Sequence, residues 1–216
     1  MGLTSRKPIS VKREEPKKLR DARLIVIASE DRYAPAQYFA IFHSTRLKIK
    51  VLPTEDCQSS PQHVMARLER FCDDLRGDYD DGDCFWLVLD TDRWVRENHT
   101  PNLTTVIQQA RKRKFQTAIS NPSFEIWLLL HLVDLAKAIP DETQRAARFP
   151  HSDAVETELR RLLGAYNKRA VNPGDFINRV EEAMKHAEKL PHPVNGWPQS
   201  PGTQVLHLVE QIRAML

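Results

Sequence analysis

The sequence predicts an α/β fold: a mostly parallel, four-stranded sheet flanked by helices, followed by a helical C-terminal part. Two observations carry this. Between residues 24 and 119, short β-branched or aromatic runs alternate with segments of helical periodicity, and such alternation implies right-handed βαβ crossovers and parallel strands. From Pro122 onward the pattern is helical only.

Leu24-Ile25-Val26-Ile27-Ala28 is a short apolar run bounded by polar residues and predicts a buried first strand. Pro35 opens a helix over 36–43. The alternation from Leu47 to Leu52 predicts a second strand at a sheet edge. Ser60-Pro61 starts a helix to about Arg76, with Val64, Leu68, Phe71 and Leu75 on one face. Cys84 to Leu89 is apolar at every position, as in a central strand covered on both faces. A helix over 103–114 leads to a fourth strand over 115–119. Phe124 to Ala138 predicts one long apolar helix, and 153–166, 175–189 and 203–216 predict amphipathic ones. The organisation is then a flexible basic arm over 1–22, an α/β core over 23–138 and a helical extension packed on it over 139–216.

A hydrophobic fraction of 41% in 216 residues supports a core that needs neither disulfides nor a structural metal. Cys57, Cys72 and Cys84 form no CxxC pair, which argues for reduced thiols. No apolar run approaches the ~20 residues that span a bilayer, and the N-terminus lacks the apolar stretch of a secretory signal. A cytoplasmic protein without a membrane segment is expected. No Walker A loop, GxGxxG, GxSxG or HExxH occurs, so ATP hydrolysis by this chain alone, dinucleotide binding and serine-hydrolase chemistry lack support.

The chemistry gathers at strand ends, where open parallel sheets place their sites. Asp90 and Asp92 stand two apart just beyond the third strand, so both carboxylates can approach one hard cation, Mg²⁺ or Mn²⁺. Glu30 or Asp31, after the first strand, can complete the cluster. Carboxylates packed this closely repel one another unless a cation or a proton intervenes. After the fourth strand, Ser120-Asn121-Pro122-Ser123-Phe124-Glu125 predicts a helix start in which Ser120 or Asn121 caps and Pro122 occupies the first turn. The amides there can hold a phosphate, and Glu125 can join the acidic cluster. Net charge is only +3, but Arg111-Lys112-Arg113-Lys114 is a basic knot suited to nucleic acid. His131 lies in an apolar helix and is expected to be a satisfied core histidine.

The stretch Ser120-Asn121-Pro122-Ser123-Phe124-Glu125-Ile126-Trp127-Leu128-Leu129-Leu130-His131 closely resembles the signature of RloB-like proteins. Phe85 to Asp92 is similar to that family's aromatic-rich strand ending in DxD, and Tyr166-Asn167-Lys168 and Asn195 to Val205 resemble its C-terminal pattern. The resemblance implies a Toprim-like fold, with a Glu after the first strand as general acid or base and DxD binding Mg²⁺. It also implies an antiviral nuclease effector in restriction or abortive-infection loci, working with an ABC-type ATPase subunit on DNA or RNA. The chain departs from the family where a Glu-Gly-Glu type segment is usual. Here it reads Ala28-Ser29-Glu30-Asp31-Arg32-Tyr33-Ala34-Pro35, so either Glu30 or Asp31 takes the Toprim position. The departure keeps a second function open: a catalytically inactive subunit that binds nucleic acid or the ATPase.

Overall fold

A computed structural model describes residues 22–55, 58–75, 79–92 and 100–216. The expected basic arm therefore lies almost wholly outside the described residues. Strands β1 (Arg23–Ser29), β2 (Leu47–Leu52), β3 (Cys84–Asp90) and β4 (Gln116–Asn121) form at the β-branched and aromatic runs. They pair in parallel in the order β2-β1-β3-β4. A further strand, β5 (Gly202–Thr203), pairs antiparallel with the end of β4. Among the described residues the sheet thus has five strands, not the four expected. Two residues carry no periodicity that a sequence could show. Tertiary hydrogen bonds hold them: the Ser120 and Thr203 hydroxyls lie 2.8 Å apart, and Gln204 exchanges hydrogen bonds with both backbone groups of Ile119.

Helix α1 (Ala34–Phe39) joins β1 to β2, α2 (Pro61–Asp74) joins β2 to β3, and α3 (Thr100–Lys112) joins β3 to β4. The chain moves outward from β1 to β2, then back across β1 to β3. Right-handed crossovers in opposite directions place α1 and α2 on opposite faces. The two cores follow from this. Ile25, Ile27, Trp86 and Val88 pack with Tyr38 and Phe39 of α1 on one face. Leu24, Val26, Ala28, Phe85 and Leu87 pack with Val64 and Leu68 of α2 and Val106 of α3 on the other. Strands buried on both faces need apolar residues at successive positions, which is why β1 and β3 show unbroken runs.

Helix boundaries differ from expectation where a side chain competes for backbone groups. The first helix starts at Ala34, not 36, because Asp31 Oδ1 accepts from the N–H groups of Tyr33 and Ala34 at 2.6 and 2.8 Å. The single helix expected over 124–138 is two, α4 (Glu125–Leu130) and α5 (Leu135–Ala138). Asp134 accepts from the Lys137 N–H and starts a new turn. Helix α6 (Glu142–Arg148), unanticipated, is capped in the same way by Asp141. The expected caps Ser120 and Asn121 belong to β4, and Pro122 precedes the helix, whose first residue is Glu125.

Helix α7 (Ser152–Leu163) is followed by Gly164 at a φ of +76°, a conformation open to glycine. Helix α8 (Val180–Glu188) is shorter than expected, since Pro173–Asp175 and Ile177–Arg179 form isolated 3₁₀ turns. Asn195-Gly196 carries positive φ at both positions, 56° and 98°, and turns the chain between Val194 and Trp197. Helix α9 (Val205–Met215) closes the described chain. Val155, Leu159, Ala183 and Val209 from α7, α8 and α9 surround α4, whose six residues are all buried. A helix enclosed on every side shows no amphipathic stripe.

His131 is buried, as expected of a core histidine. Its Nδ1 lies 2.9 Å from the Trp127 carbonyl and so donates, leaving Nε2 to accept from the Tyr38 hydroxyl at 3.1 Å. Burial lowers its pKa to about 4, keeping the ring neutral. Cys72 and Cys84 are free thiols; Cys57 lies outside the described residues. Among the described residues no helix is long and apolar enough to cross a membrane.

Gln211 of α9 ties the last helix to the sheet. It accepts from Trp86 Nε1 at 2.7 Å and donates to Cys84 Sγ at 3.0 Å. Gln211→Leu would leave the indole N–H of a buried tryptophan unpaired. A loss of about 1–3 kcal/mol in chemical denaturation is expected. An unchanged midpoint would show that this contact does not hold α9 in place.

Candidate active site

The strand order reverses between β1 and β3, and their carboxyl ends form the crevice in which doubly wound sheets bind ligands. Parallel register puts Ser29 beside Val88, and the ladder continues with Glu30 N–H donating to the Val88 carbonyl at 3.0 Å. Glu30-Asp31 and Asp90-Thr91-Asp92 are thereby delivered side by side. The signature segment after β4 then fastens the DxD turn. Thr91 N–H donates to the carbonyls of Ser120 and Pro122, and Asp92 N–H donates to Pro122. Phe124 N–H donates to Asp90 Oδ1 at 2.9 Å. The amide foreseen as a phosphate donor thus serves the Asp90 carboxylate instead.

Glu30, Asp31, Asp90, Asp92 and Glu125 line one cavity of about 310 Å³, together with Ser59, Ser123, Ser152 and Lys168. The sequence-derived acidic residues therefore converge, and Glu30 and Asp31 both take part. Their engagements differ. Glu30 Oε2 accepts from the Asp90 N–H at 3.3 Å, across the crevice, whereas Asp31 Oδ1 is committed to the start of α1. Lys168, from the turn after α7, brings a positive charge and pairs with Glu156 at 3.3 Å. Tyr166 places its hydroxyl 3.5 Å from Glu125 Oε1.

The electrostatics express crowding. Burial raises the pKa of Asp90 well above the ordinary carboxylate range, and Glu30, Glu125, Asp92 and Asp31 push it further. Glu125 is raised to about 7, first by burial and then by Asp31, against the opposing pull of the Ser123 hydroxyl and Lys168. Lys168 is held above the usual ammonium range: burial opposes its charge, but Glu156, Glu125 and Asp31 outweigh that. Ser123 Oγ is buried without a hydrogen bond of ordinary geometry, although it sits near enough to favour the ionised form of Glu125. Among the described residues, no three His, Cys, Asp or Glu side chains already stand in a metal-ligating group. The donor set still suits a hard cation. Magnesium needs only one or two carboxylates and keeps several waters, and an orphaned hydroxyl beside self-repelling carboxylates is relieved by such an ion.

The RloB-like protein family model matches residues 25–212. The chain belongs to the RloB-like protein family. No curated protein and no solved structure matches it.

The other sequence-derived residues of this RloB-like chain stand apart from the cavity. Ser120 is buried against Thr203, and Asn121 Nδ2 donates to the Pro198 carbonyl at 3.0 Å, so both serve the attachment of the C-terminal segment. Arg111, Lys112, Arg113 and Lys114 are exposed at the end of α3, next to the start of β4. The acidic cavity lies at the other end of the sheet, as the register Trp86 to Gln116 and Asp90 to Ser120 requires. About 13 Å of strand separates the two ends. Arg113 is engaged with Glu69 and Asp73 of α2 at 3.3 and 3.4 Å. Conversely, Ser123 and Lys168 line the cavity and Tyr166 stands against Glu125, with no role foreseen for them. Their only signal was membership of the family-like stretches.

Glu125 titrates higher when folded than when unfolded, so its contribution to stability is present below about pH 4.5 and is lost as pH rises through about 7. In metal-free protein, Glu125→Gln should therefore raise thermal stability relative to wild type, and the gain should grow between pH 5 and 8 by a few kcal/mol on the order of two pKa units. A difference independent of pH would contradict the buried, proton-holding state of this carboxyl.

Proposed function

We propose that this RloB-like chain is a divalent-metal-dependent nuclease with a Toprim-like acidic site. We further propose that it acts as the effector of an antiviral defence system with an ABC-type ATPase subunit. The observation that supports the chemistry is the convergence of five carboxylates and one lysine on a single cavity at the carboxyl ends of β1, β3 and β4. Mg²⁺ or Mn²⁺ would be held by Asp90 and Asp92, with Glu30 or Asp31 and the Ser123 hydroxyl completing the set. Bound there, the ion would make a water nucleophilic and neutralise phosphate charge. Glu30 would hold the proton of an attacking water; its carboxylate lines the cavity and reaches across it to the Asp90 backbone, which supports that role. Lys168, the cation lining the cavity, would meet negative charge developing on a phosphate oxygen. Glu125, raised to about 7, is suited to give up or hold a proton near neutrality. The defence role and the ATPase rest on the resemblance stated above.

A second reading has its own support. Asp31 is tied to α1 and, among the described residues, no ready-made ligand trio stands, as in a subunit that keeps the fold and binds nucleic acid or the ATPase without cutting. Calorimetry with Mn²⁺ separates the two. Wild type should bind the ion and Asp90→Asn should not, while both melt cooperatively. In the presence of the neighbouring ATPase, wild type should cleave oligonucleotides. Lys168→Met should keep Mn²⁺ binding but lose roughly 100-fold in cleavage. If neither ion binding nor cleavage depends on Asp90, the nuclease reading fails and the non-catalytic subunit takes its place.

A further inference from the structure

We infer that Arg67, Arg70 and Arg32 form a subsite for a backbone phosphate of the polynucleotide strand, next to the acidic cavity. This rests on the nucleic-acid reading above and names where the strand is gripped. The pocket is distinct from the acidic cavity and measures about 480 Å³. Arg32, Arg67 and Arg70 line it together with Thr54, Glu55 and Asp74. Its place in the fold is set by the same strand ends. Arg67, on α2, donates through Nη2 to the carbonyl of Ser29, the last residue of β1, at 2.7 Å, and to Thr54 Oγ1 at 3.1 Å. The turn that follows Ser29 forms the wall between the two sites. Glu30 and Asp31 line the acidic cavity and Arg32 lines the basic pocket. Two residues of backbone reach at most about 7 Å, so the two sites are adjacent.

The guanidinium of Arg67 is under-satisfied where it stands. Its Nε and Nη1 are buried without hydrogen-bond partners. Burial works against its charge; Glu55 offsets this in part, and Arg70 adds to the repulsion. A half-buried cation with two buried, unmet donors is costly. A phosphate offers several acceptor oxygens and a negative charge, and guanidinium groups match its geometry. Arg32 and Arg70 are exposed at the same pocket and add positive charge at its mouth. The knot Arg111 to Lys114 lies at the opposite end of the sheet and supplies none of this.

The test measures anisotropy of labelled ~20-nucleotide DNA and RNA, single-stranded and duplex, across a salt series; this length covers several phosphates. All proteins carry Asp90→Asn, which would block cutting and removes one repelling charge. Failure of cleavage in the wild type would therefore leave the binding result readable. Arg32→Gln/Arg70→Gln removes only exposed side chains and should bind at least tenfold more weakly, with a salt slope reduced by about one to two. Arg67→Gln should weaken binding in the same direction. Arg111→Gln/Lys112→Gln removes equal charge at the far end and should change affinity less than twofold. Equal affinity of the parent and the Arg32/Arg70 variant would overturn the inference. So would an equal loss in the far-end control, or no binding of any probe by the parent.

Discussion

The parallel pairing of β1 with β3 is the constraint on which the site depends. These strands are neighbours in space but not in sequence, because the chain passes out to β2 and returns between them. Their register sets Ser29 against Val88 and carries the ladder one step further to Glu30. A shift of one residue would turn every side chain to the opposite face. It would exchange the two cores and separate Glu30 from Asp90. The same pairing that buries Ile25, Ile27, Trp86 and Val88 therefore aims the carboxylates.

Bringing acids together in a half-buried crevice has a cost, and the surrounding structure is arranged to bear it. Asp90 accepts from the Phe124 amide, Glu30 from the Asp90 amide, and Asp31 from the Tyr33 and Ala34 amides at the start of α1. Lys168 arrives from the C-terminal part to offset the charge. What these contacts leave unbalanced appears as raised carboxyl pKa values and an unpartnered Ser123 hydroxyl. The helical C-terminal part is thus more than a cover. It supplies Lys168 to the cavity and Tyr166 to Glu125, and through β5 it braces the segment that fastens the DxD turn.

Much of the fold was legible because burial writes itself into periodicity. The runs at β1 and β3 and the alternation at β2 are consequences of two-sided and edge burial, and each marked its strand. Short-range side-chain competition was harder to weigh. Asp134 and Asp141 are ordinary capping residues, yet the long apolar stretch from Phe124 masked the break before α5. The two-residue strand β5 had no periodicity at all. The acidic site was legible in its members, since Glu30, Asp31, Asp90, Asp92 and Glu125 all follow strands or begin a helix at one end of the sheet. Where the basic residues stand relative to the acidic cavity was not legible, because charge density along the chain says nothing about which end of the sheet it occupies. Arg111 to Lys114 is the denser cluster, but Arg67 and Arg70, spaced along α2, stand beside the site.

By itself the sequence determined the layered α/β architecture, the strand ends that carry acids, and the RloB-like resemblance, because hydrophobic pattern and local motif are properties of contiguous residues. Only the tertiary structure decided that Glu30 reaches Asp90 while Asp31 starts a helix, and that Lys168 returns to the cavity and Tyr166 to Glu125 from more than forty positions beyond that glutamate. Only it showed Ser120 and Asn121 turned toward the C-terminal segment. These are contacts between distant parts of the chain, fixed by strand register and by the direction in which each crossover wraps the sheet.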